Sequence, residues 1–205
     1  RPGACDLEEL MSLPNATEGR WAPTAVRVSG VAPSAIPAVA QTRAAVQDEG
    51  SQLVALTLAA APIEGTDNHW LDLCAGPGGK AGLLASLVAQ RSGELTAVEP
   101  QEHRAELVEK TLRGVPGHHQ VIVSDGRDVR GEFDRVLADV PCTGLGVLRR
   151  RPESRWRRQP EDVAALAPLQ RELLRNAIAC TRSGGVIAYS TCSPHLAETE
   201  FVVQD

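Results

Sequence analysis

The stretch "HWLDLCAGPGGKAGLLASLVAQ", residues 69–90, decides how the rest of the chain reads. Its first part, "HWLDLCA", is short and apolar, the pattern of a buried strand. A glycine-rich turn follows. Then "GKAGLLASLVAQ" places Leu83, Leu84, Leu87 and Val88 on one face of a helix. Glycines carry no β-carbon, so the turn lets the backbone approach a ligand, and the helix start offers free N–H donors. The turn is not a phosphate-binding P-loop, because Cys74 stands where that motif needs glycine and Lys80 is followed by Ala81. Gly76, Gly78 and Ala81 satisfy G-x-G-x-x-G/A loosely, so a dinucleotide remains open at this level.

Strand and helix patterns alternate on both sides of this stretch. Upstream, "EGSQLVALTLAAA" predicts a helix closing at Pro62. Downstream, "GELTAVE" predicts a second strand, "QEHRAELVEKTLRG" a charged helix ending at Gly114, "HQVIVSD" a third strand and "FDRVLADV" a fourth. Leu166, Leu169, Leu173, Ala177 and Ile178 mark a further helix, broken or kinked near Pro168. The fifth strand, "GGVIAYST", follows a helix stop at Ser183-Gly184-Gly185. This alternation implies an α/β fold with a doubly wound, mainly parallel sheet. Ligands of such sheets bind outside the carboxyl ends of the strands. Those ends carry Asp72 to Gly79, Glu99, Asp125, Asp139 to Cys142 and Thr191-Cys192, so one rim should gather all five clusters.

Hydrophobic residues at 42% and charged residues at 23% suit a globular chain. No apolar run is long enough to span a bilayer and no signal-peptide pattern is present, so no membrane partner is expected. The chain starts at Arg1 and stops at Asp205 soon after a motif, which reads as a fragment with sequence missing at both ends. Residues 1–47 are rich in Pro, Ala and Gly and read as the tail of another module or a linker, with a short strand at Ala25–Val28; regular patterning begins at 48. The five cysteines are scattered and form no C-x-x-C pair, so neither a disulfide framework nor a metal site is expected, and reduced cytoplasmic thiols fit best. His103, His118, His119 and His195 also lack ligand spacing.

Three features carry chemistry. Glu99, 23 residues after Gly76, ends the second strand, where an acid accepts hydrogen bonds from both ribose hydroxyls of a nucleoside cofactor. "ADVPCTG" (138–144) and "YSTCSPH" (189–195) place Cys142 and Cys192 just past the ends of buried strands. The net charge of −5 conceals "RRRPESRWRR" (149–158), with six arginines and one acid, a local basic surface suited to RNA phosphates. Trp156 within it either stacks on an unpaired base or tucks into the core.

Together these stretches resemble a known family. "LDLCAGPGGK" with "AVEPQEHR" resembles the S-adenosylmethionine-binding motifs of class I methyltransferases, whose sheet is Rossmann-like. With "SDGRD", "DVPCTGLGVLRRRPESRW", "YSTCSPHLAETE" and "VQDEGSQLVAL", the chain resembles the RNA cytosine-5 methyltransferases of the Sun (RsmB) family over residues 46–203. The resemblance implies that Cys74, Ala75, Gly76, Pro77, Gly78, Gly79 and Lys80 wrap the methionine end of S-adenosylmethionine and that Glu99 holds its ribose. It further implies that Asp125 accepts from the adenine amino group and that Asp139 lies near both cofactor and target base. Arg104 either helps hold this arrangement or is a helix-surface arginine. The family commonly has Ala and Thr where this chain has Gly76 and Ala81, and Asp where it has Glu99. Residues 1–47 would be the tail of an N-terminal RNA-binding module or a linker, and 48–205 the methyltransferase catalytic domain, truncated at the C-terminal strand pair. The partner would be RNA, by analogy ribosomal, engaged through the 149–158 loop.

The implied reaction explains two rim thiols. Carbon-5 of cytosine attacks a sulfonium methyl group only after a thiolate has added to carbon-6, and the carbon-5 proton and the sulfur must later leave. By resemblance Cys192 attacks and Cys142 assists release, with Asp139 protonating the ring nitrogen if burial raises its pKa. The residues alone do not order the two cysteines. Cys5, Cys74 and Cys180 read as small buried groups or backbone positions. A nicotinamide-dependent oxidoreductase and a non-catalytic RNA-binding assembly factor with the same fold are the alternatives.

Overall fold

The computed structural model describes all 205 residues. Residues 1–47 hold α1 (Leu7–Met11), an antiparallel hairpin of β1 (Ala16–Glu18) and β2 (Val26–Val28), and α2 (Pro37–Ala40), gathered on a small cluster of Ile36, Ala38 and Ala44. The short strand expected at Ala25–Val28 is thus present, one residue shorter. Hydrogen bonds tie this segment to residues 49–52: Trp21 N–H and Ala22 N–H donate to Glu49 at 2.7 and 3.1 Å, and Thr24 donates to Gln52 at 2.8 Å.

The rest alternates as the sequence predicts: α3 (Glu49–Ala60), β3 (His69–Asp72), α4 (Gly79–Ala89), β4 (Glu94–Val98), α5 (Glu102–Leu112), β5 (His118–Ile122), β6 (Phe133–Asp139), α6 (Ser154–Arg157), α7 (Pro160–Cys180), β7 (Thr181–Ser190) and α8 (Glu200–Gln204). The sheet order is β5-β4-β3-β6-β7, with every pair parallel. The chain winds outward from β3 through β4 and β5, then returns to build β6 and β7 on the other side. A doubly wound sheet with its switch point at β3 results, and the loops after β3, β4, β6 and β7 share one rim. Successive side chains face opposite layers. Trp70, Ala97 and Leu137 pack with the α3–α5 core, and Leu71, Val98, Val136 and Ala138 with Leu173, Ala177 and Cys180 of α7.

Two boundaries differ from expectation. Helix α7 runs unbroken through Pro168. Pro168 and Ala164, whose carbonyl loses its usual donor, both lie on the exposed side, so that carbonyl stays hydrated and the helix continues. The inward face of α7 is Ala167, Gln170, Leu173, Ala177 and Cys180, while Ile178 points outward. The Ser183-Gly184-Gly185 segment is not a helix stop: α7 ends at Cys180 and these residues form a bulge inside β7, between the pairs Phe133–Thr181 and Arg135–Val186. Gly184 there adopts φ +79°, open to glycine without strain.

The amino end of the sheet is closed by buried charges that are fully partnered. Arg135 spends its guanidinium on both oxygens of Asp67 (2.7 and 2.8 Å) and on the carbonyls of Leu58 (2.5 Å) and Ala61 (2.8 Å), which α3 leaves without donors. Asp134 accepts from Asn68 N–H (2.8 Å), His69 N–H (2.7 Å), the Thr66 hydroxyl (2.8 Å) and Arg182 Nε (2.5 Å). Burial alone would raise its pKa, but Arg182, the N–H groups and Thr66 outweigh that and hold it well below the ordinary carboxylate value. A depressed folded pKa stabilises the protein above the unfolded value of about 4, and this contribution fades as pH falls toward the folded value. Asp134→Asn is therefore expected to cost about 3 kcal/mol in urea unfolding at pH 7, with the gap to wild type narrowing below pH ~4. A gap that does not change with pH would refute the ionised role.

Candidate active site

Of the residues expected at the cofactor, Cys74, Ala75, Gly76, Pro77, Gly79, Lys80 and Asp139 line one cleft of about 160 Å³ at the carboxyl ends of β3 and β6. Gly78 stands behind it as the N-cap of α4 with φ +103°, and a β-carbon there would press on Thr111. Gln47, Ser51 and Asp72 complete the lining, and the reading of the sequence assigned them no role. Asp72 had a signal, as an acid ending the strand directly before the turn. Its side chain is buried, Oδ1 takes a long bond from Cys74 N–H (3.4 Å), and Oδ2 has no partner. Burial, followed by the nearby Asp139 charge, pushes its pKa up to about 7. A buried carboxylate oxygen in want of a donor, beside a second carboxylate, suits a cationic amino-acid group. The lining therefore fits the amino-acid end of S-adenosylmethionine.

Glu99 and Asp125 lie outside that cleft lining, on the same rim. Glu99 is buried after β4, accepts from Gln101 N–H at 3.1 Å and faces Arg104 at 3.5 Å. Arg104 in turn donates to the Gly76 carbonyl at 2.7 Å, so it ties the acid to the turn and is no bystander on the helix surface. Asp125 is half-buried, and both its oxygens are taken by Arg127 (Nε 3.0 Å, Nη2 2.8 Å), which is itself anchored by Glu172 at 2.6 Å. Asp139 is not buried alone: its side chain is 29% exposed and Lys80 Nζ lies 2.7 Å from Oδ2. Lys80 donates in that hydrogen bond and Asp139 accepts.

The two rim cysteines meet. Cys142 Sγ lies 3.2 Å from Cys192 Sγ, with Cys142 half-buried and Cys192 exposed. Such thiols titrate as a pair. The hydrogen bond from Cys192, aided by Thr191 and the N–H groups of Gly144 and Cys192, lowers the Cys142 thiol to about 6 despite its burial. The same bond, burial and the charges of Cys142 and Asp139 push Cys192 up. Cys74 and Cys180 are pushed up by burial, as is Cys5, so none of these three competes as a thiolate. Beneath the pair lies a buried carboxylate, Glu198, which accepts from Thr143 N–H (2.8 Å), the Thr143 hydroxyl (2.5 Å) and Gln170 Nε2 (3.0 Å). Sequence reasoning assigned no role to Glu198 or Gln170. Gln170 in particular sits at an inward helix position that hydrophobic periodicity passes over.

Beyond Gly144 the arginine-rich run is exposed. Arg150 pairs with Asp48 at 2.5 Å and Arg158 with Asp162 at 3.7 Å, whereas Arg149, Arg151, Arg155 and Arg157 form no ion pair. Trp156 is 80% exposed, so it is not a core residue. No helix is long and apolar enough to cross a membrane.

Residues 57–205 match the family model for the 16S rRNA methyltransferase RsmB/F. The chain belongs to this family. It is similar to a Mycobacterium tuberculosis protein whose name assigns it only to the methyltransferases, at 56% identity over 207 residues, covering 100% of this chain and 45% of that one. It is similar to the ribosomal RNA small subunit methyltransferase B of Salmonella paratyphi A at 37% identity over 177 residues, covering 83% of this chain and 40% of the relative. Among solved structures it resembles NSun6 from Pyrococcus horikoshii with SFG, at 30% identity and a TM-score of 0.73, covering 87% of this chain and 45% of that one. The chain therefore spans less than half the length of these relatives.

Two departures from the RsmB/F pattern turn out to be one. A β-carbon at Gly76 would overlap Glu99 Oε2 and crowd Arg104. The longer reach of Glu99, relative to the commoner Asp, thus places Oε2 in the space that the commoner Ala would fill. Gly76→Ala is expected to weaken S-adenosylmethionine binding by at least about tenfold in calorimetric titration. Adding Glu99→Asp should restore affinity to within about threefold, and simple additivity would refute the pairing. For the thiols, iodoacetamide should label Cys142 with an apparent pKa of about 6. Cys192→Ala should move that value upward, because the thiolate loses its hydrogen-bond donor; an unchanged profile would show the pair uncoupled.

Proposed function

We propose that this chain carries the catalytic unit of an enzyme that transfers a methyl group from S-adenosylmethionine to carbon-5 of a cytosine in ribosomal RNA, through a Cys192 adduct at carbon-6. The observation that carries this reading is the thiol pair at 3.2 Å on the rim that also holds the cofactor cleft. A mere pair of core cysteines would not leave Cys192 exposed with its neighbour's pKa lowered.

S-adenosylmethionine supplies the methyl group. Asp72 would take its ammonium, the free N–H groups at the start of α4 its carboxylate, and Glu99 its ribose. Asp125 would take the adenine once Arg127 yields one of its two oxygens. The SFG that accompanies the NSun6 structure is an analogue of this cofactor, which supports the assignment.

Proton movements follow from the pair. Cys142 thiolate takes the proton of Cys192 as that sulfur bonds to carbon-6, and Lys80, held by Asp139, donates to the ring nitrogen that gains electron density. Cys142 then sheds its proton to solvent. After methyl transfer Cys142 accepts the carbon-5 proton while the carbon–sulfur bond breaks, Cys192 leaves as thiolate, and the ring nitrogen returns its proton to Lys80. The pair again holds one proton. Arg149, Arg151, Arg155 and Arg157 are free for phosphates, and exposed Trp156 for stacking on an unpaired base, beside the point where the flipped cytosine must enter. Thiols kept reduced suit a cytoplasmic setting.

Cys192→Ala is expected to lower methyl transfer to RNA by at least about a thousandfold. Cys142→Ala should trap a covalent RNA–protein adduct on a denaturing gel. An adduct trapped by Cys192→Ala and not by Cys142→Ala would reverse the two roles. Turnover with neither variant impaired would end the reading.

A further inference from the structure

We propose that Glu198 is the positioning residue of the thiol pair, a buried carboxylate that holds the two cysteine turns at bonding distance from each other; its catalytic consequence rests on the two-thiol reading above. The turn Pro141–Gly144 carries Cys142, and the turn Thr191–Ser193 carries Cys192. Neither belongs to the sheet ladder, so strand pairing alone does not fix the sulfurs. Glu198, fully buried, reaches the first turn through both donors of Thr143, its N–H (2.8 Å) and hydroxyl (2.5 Å). It reaches the second through Ser193, whose Oγ lies 3.3 Å from Thr143 Oγ1. Gln170 braces the assembly from α7, donating to Glu198 at 3.0 Å and to the Pro141 carbonyl at 2.8 Å. The Glu198 carbonyl accepts from the Tyr189 hydroxyl at 2.9 Å, which fixes the carboxylate's own backbone against β7.

Acceptor capacity matters here as well as shape. Oε1 accepts from two N–H donors at once, which only an oxygen can do, while Oε2 faces a hydroxyl able to turn and donate elsewhere. A glutamine can therefore stand in by placing its NH₂ at the Oε2 position with Thr143 turned toward Ser193. An alanine leaves the Thr143 N–H and one Gln170 N–H buried without an acceptor. One further link, Gly146 N–H to the Cys192 carbonyl at 2.8 Å, joins the loops independently and keeps them near one another when Glu198 is changed.

The test reads sulfur spacing directly. Diamide removes two hydrogens from a close thiol pair and leaves a disulfide, and the rate for Cys142–Cys192 is followed by mass spectrometry of unreduced peptides. Glu198→Ala should slow crosslinking by at least about tenfold while a maleimide still labels each thiol, and Glu198→Gln should stay within about threefold of wild type. Thr143→Val, which keeps the N–H and loses the hydroxyl, should fall between them and serves where Glu198→Ala does not fold. In methyl transfer the same variants should lower kcat in step with crosslinking and leave the S-adenosylmethionine Kd unchanged. Crosslinking at the wild-type rate in Glu198→Ala or Thr143→Val would overturn the proposal. Slowed crosslinking with undiminished methyl transfer would uphold the positioning and overturn the two-thiol chemistry instead.

Discussion

The register of β6 on β7 is the constraint on which the rim depends. Asp139 lies opposite Ser190, and Val140 N–H reaches the Ser190 carbonyl at 3.0 Å just past the last pair. Cys142 and Cys192 come within three residues of that pair, so the sheet delivers both thiols to the same place. A slip of one residue would displace one turn by about 3.3 Å and turn its strand's side chains to the other layer. The bulge at Ser183–Gly185 absorbs the extra residues of β7 at the amino end, and the carboxyl-end pairing stays regular from Arg135 onward.

The two ends of the sheet treat buried charge differently. At the amino end, Asp134 and Arg135 are surrounded by partners that use their hydrogen-bonding capacity. At the carboxyl end, Asp72 keeps a buried oxygen without a donor, and Lys80 and Asp139 face each other across the cleft wall. An unmatched buried carboxylate oxygen is costly, and here it lines a cleft where a ligand's donor could reach it.

In the glycine turn two positions are linked in space. Taken one at a time, glycine at 76 and glutamate at 99 are deviations; in space they exchange volume with each other, and Arg104 joins them. Position 125 is different, since its acid is already engaged by Arg127 and must be shared with any ligand that uses it.

The order of strands and helices was legible in the sequence because each element buries a face, and burial imposes a period of 2 or 3.6 on the apolar residues. The glycine turn, the rim acids and the two rim thiols were legible as one cluster too, since strand ends in a parallel sheet must converge. Periodicity could not see Gln170 or Glu198, which are polar yet buried, nor that Pro168 leaves α7 intact on its exposed side. It could not tell whether Trp156 lies inside or out, which carboxylate keeps an open valence, or that two sulfurs would lie 3.2 Å apart. Those features depend on contacts between residues tens of positions apart, and such contacts leave no local imprint on composition or spacing; only the packed chain decides them.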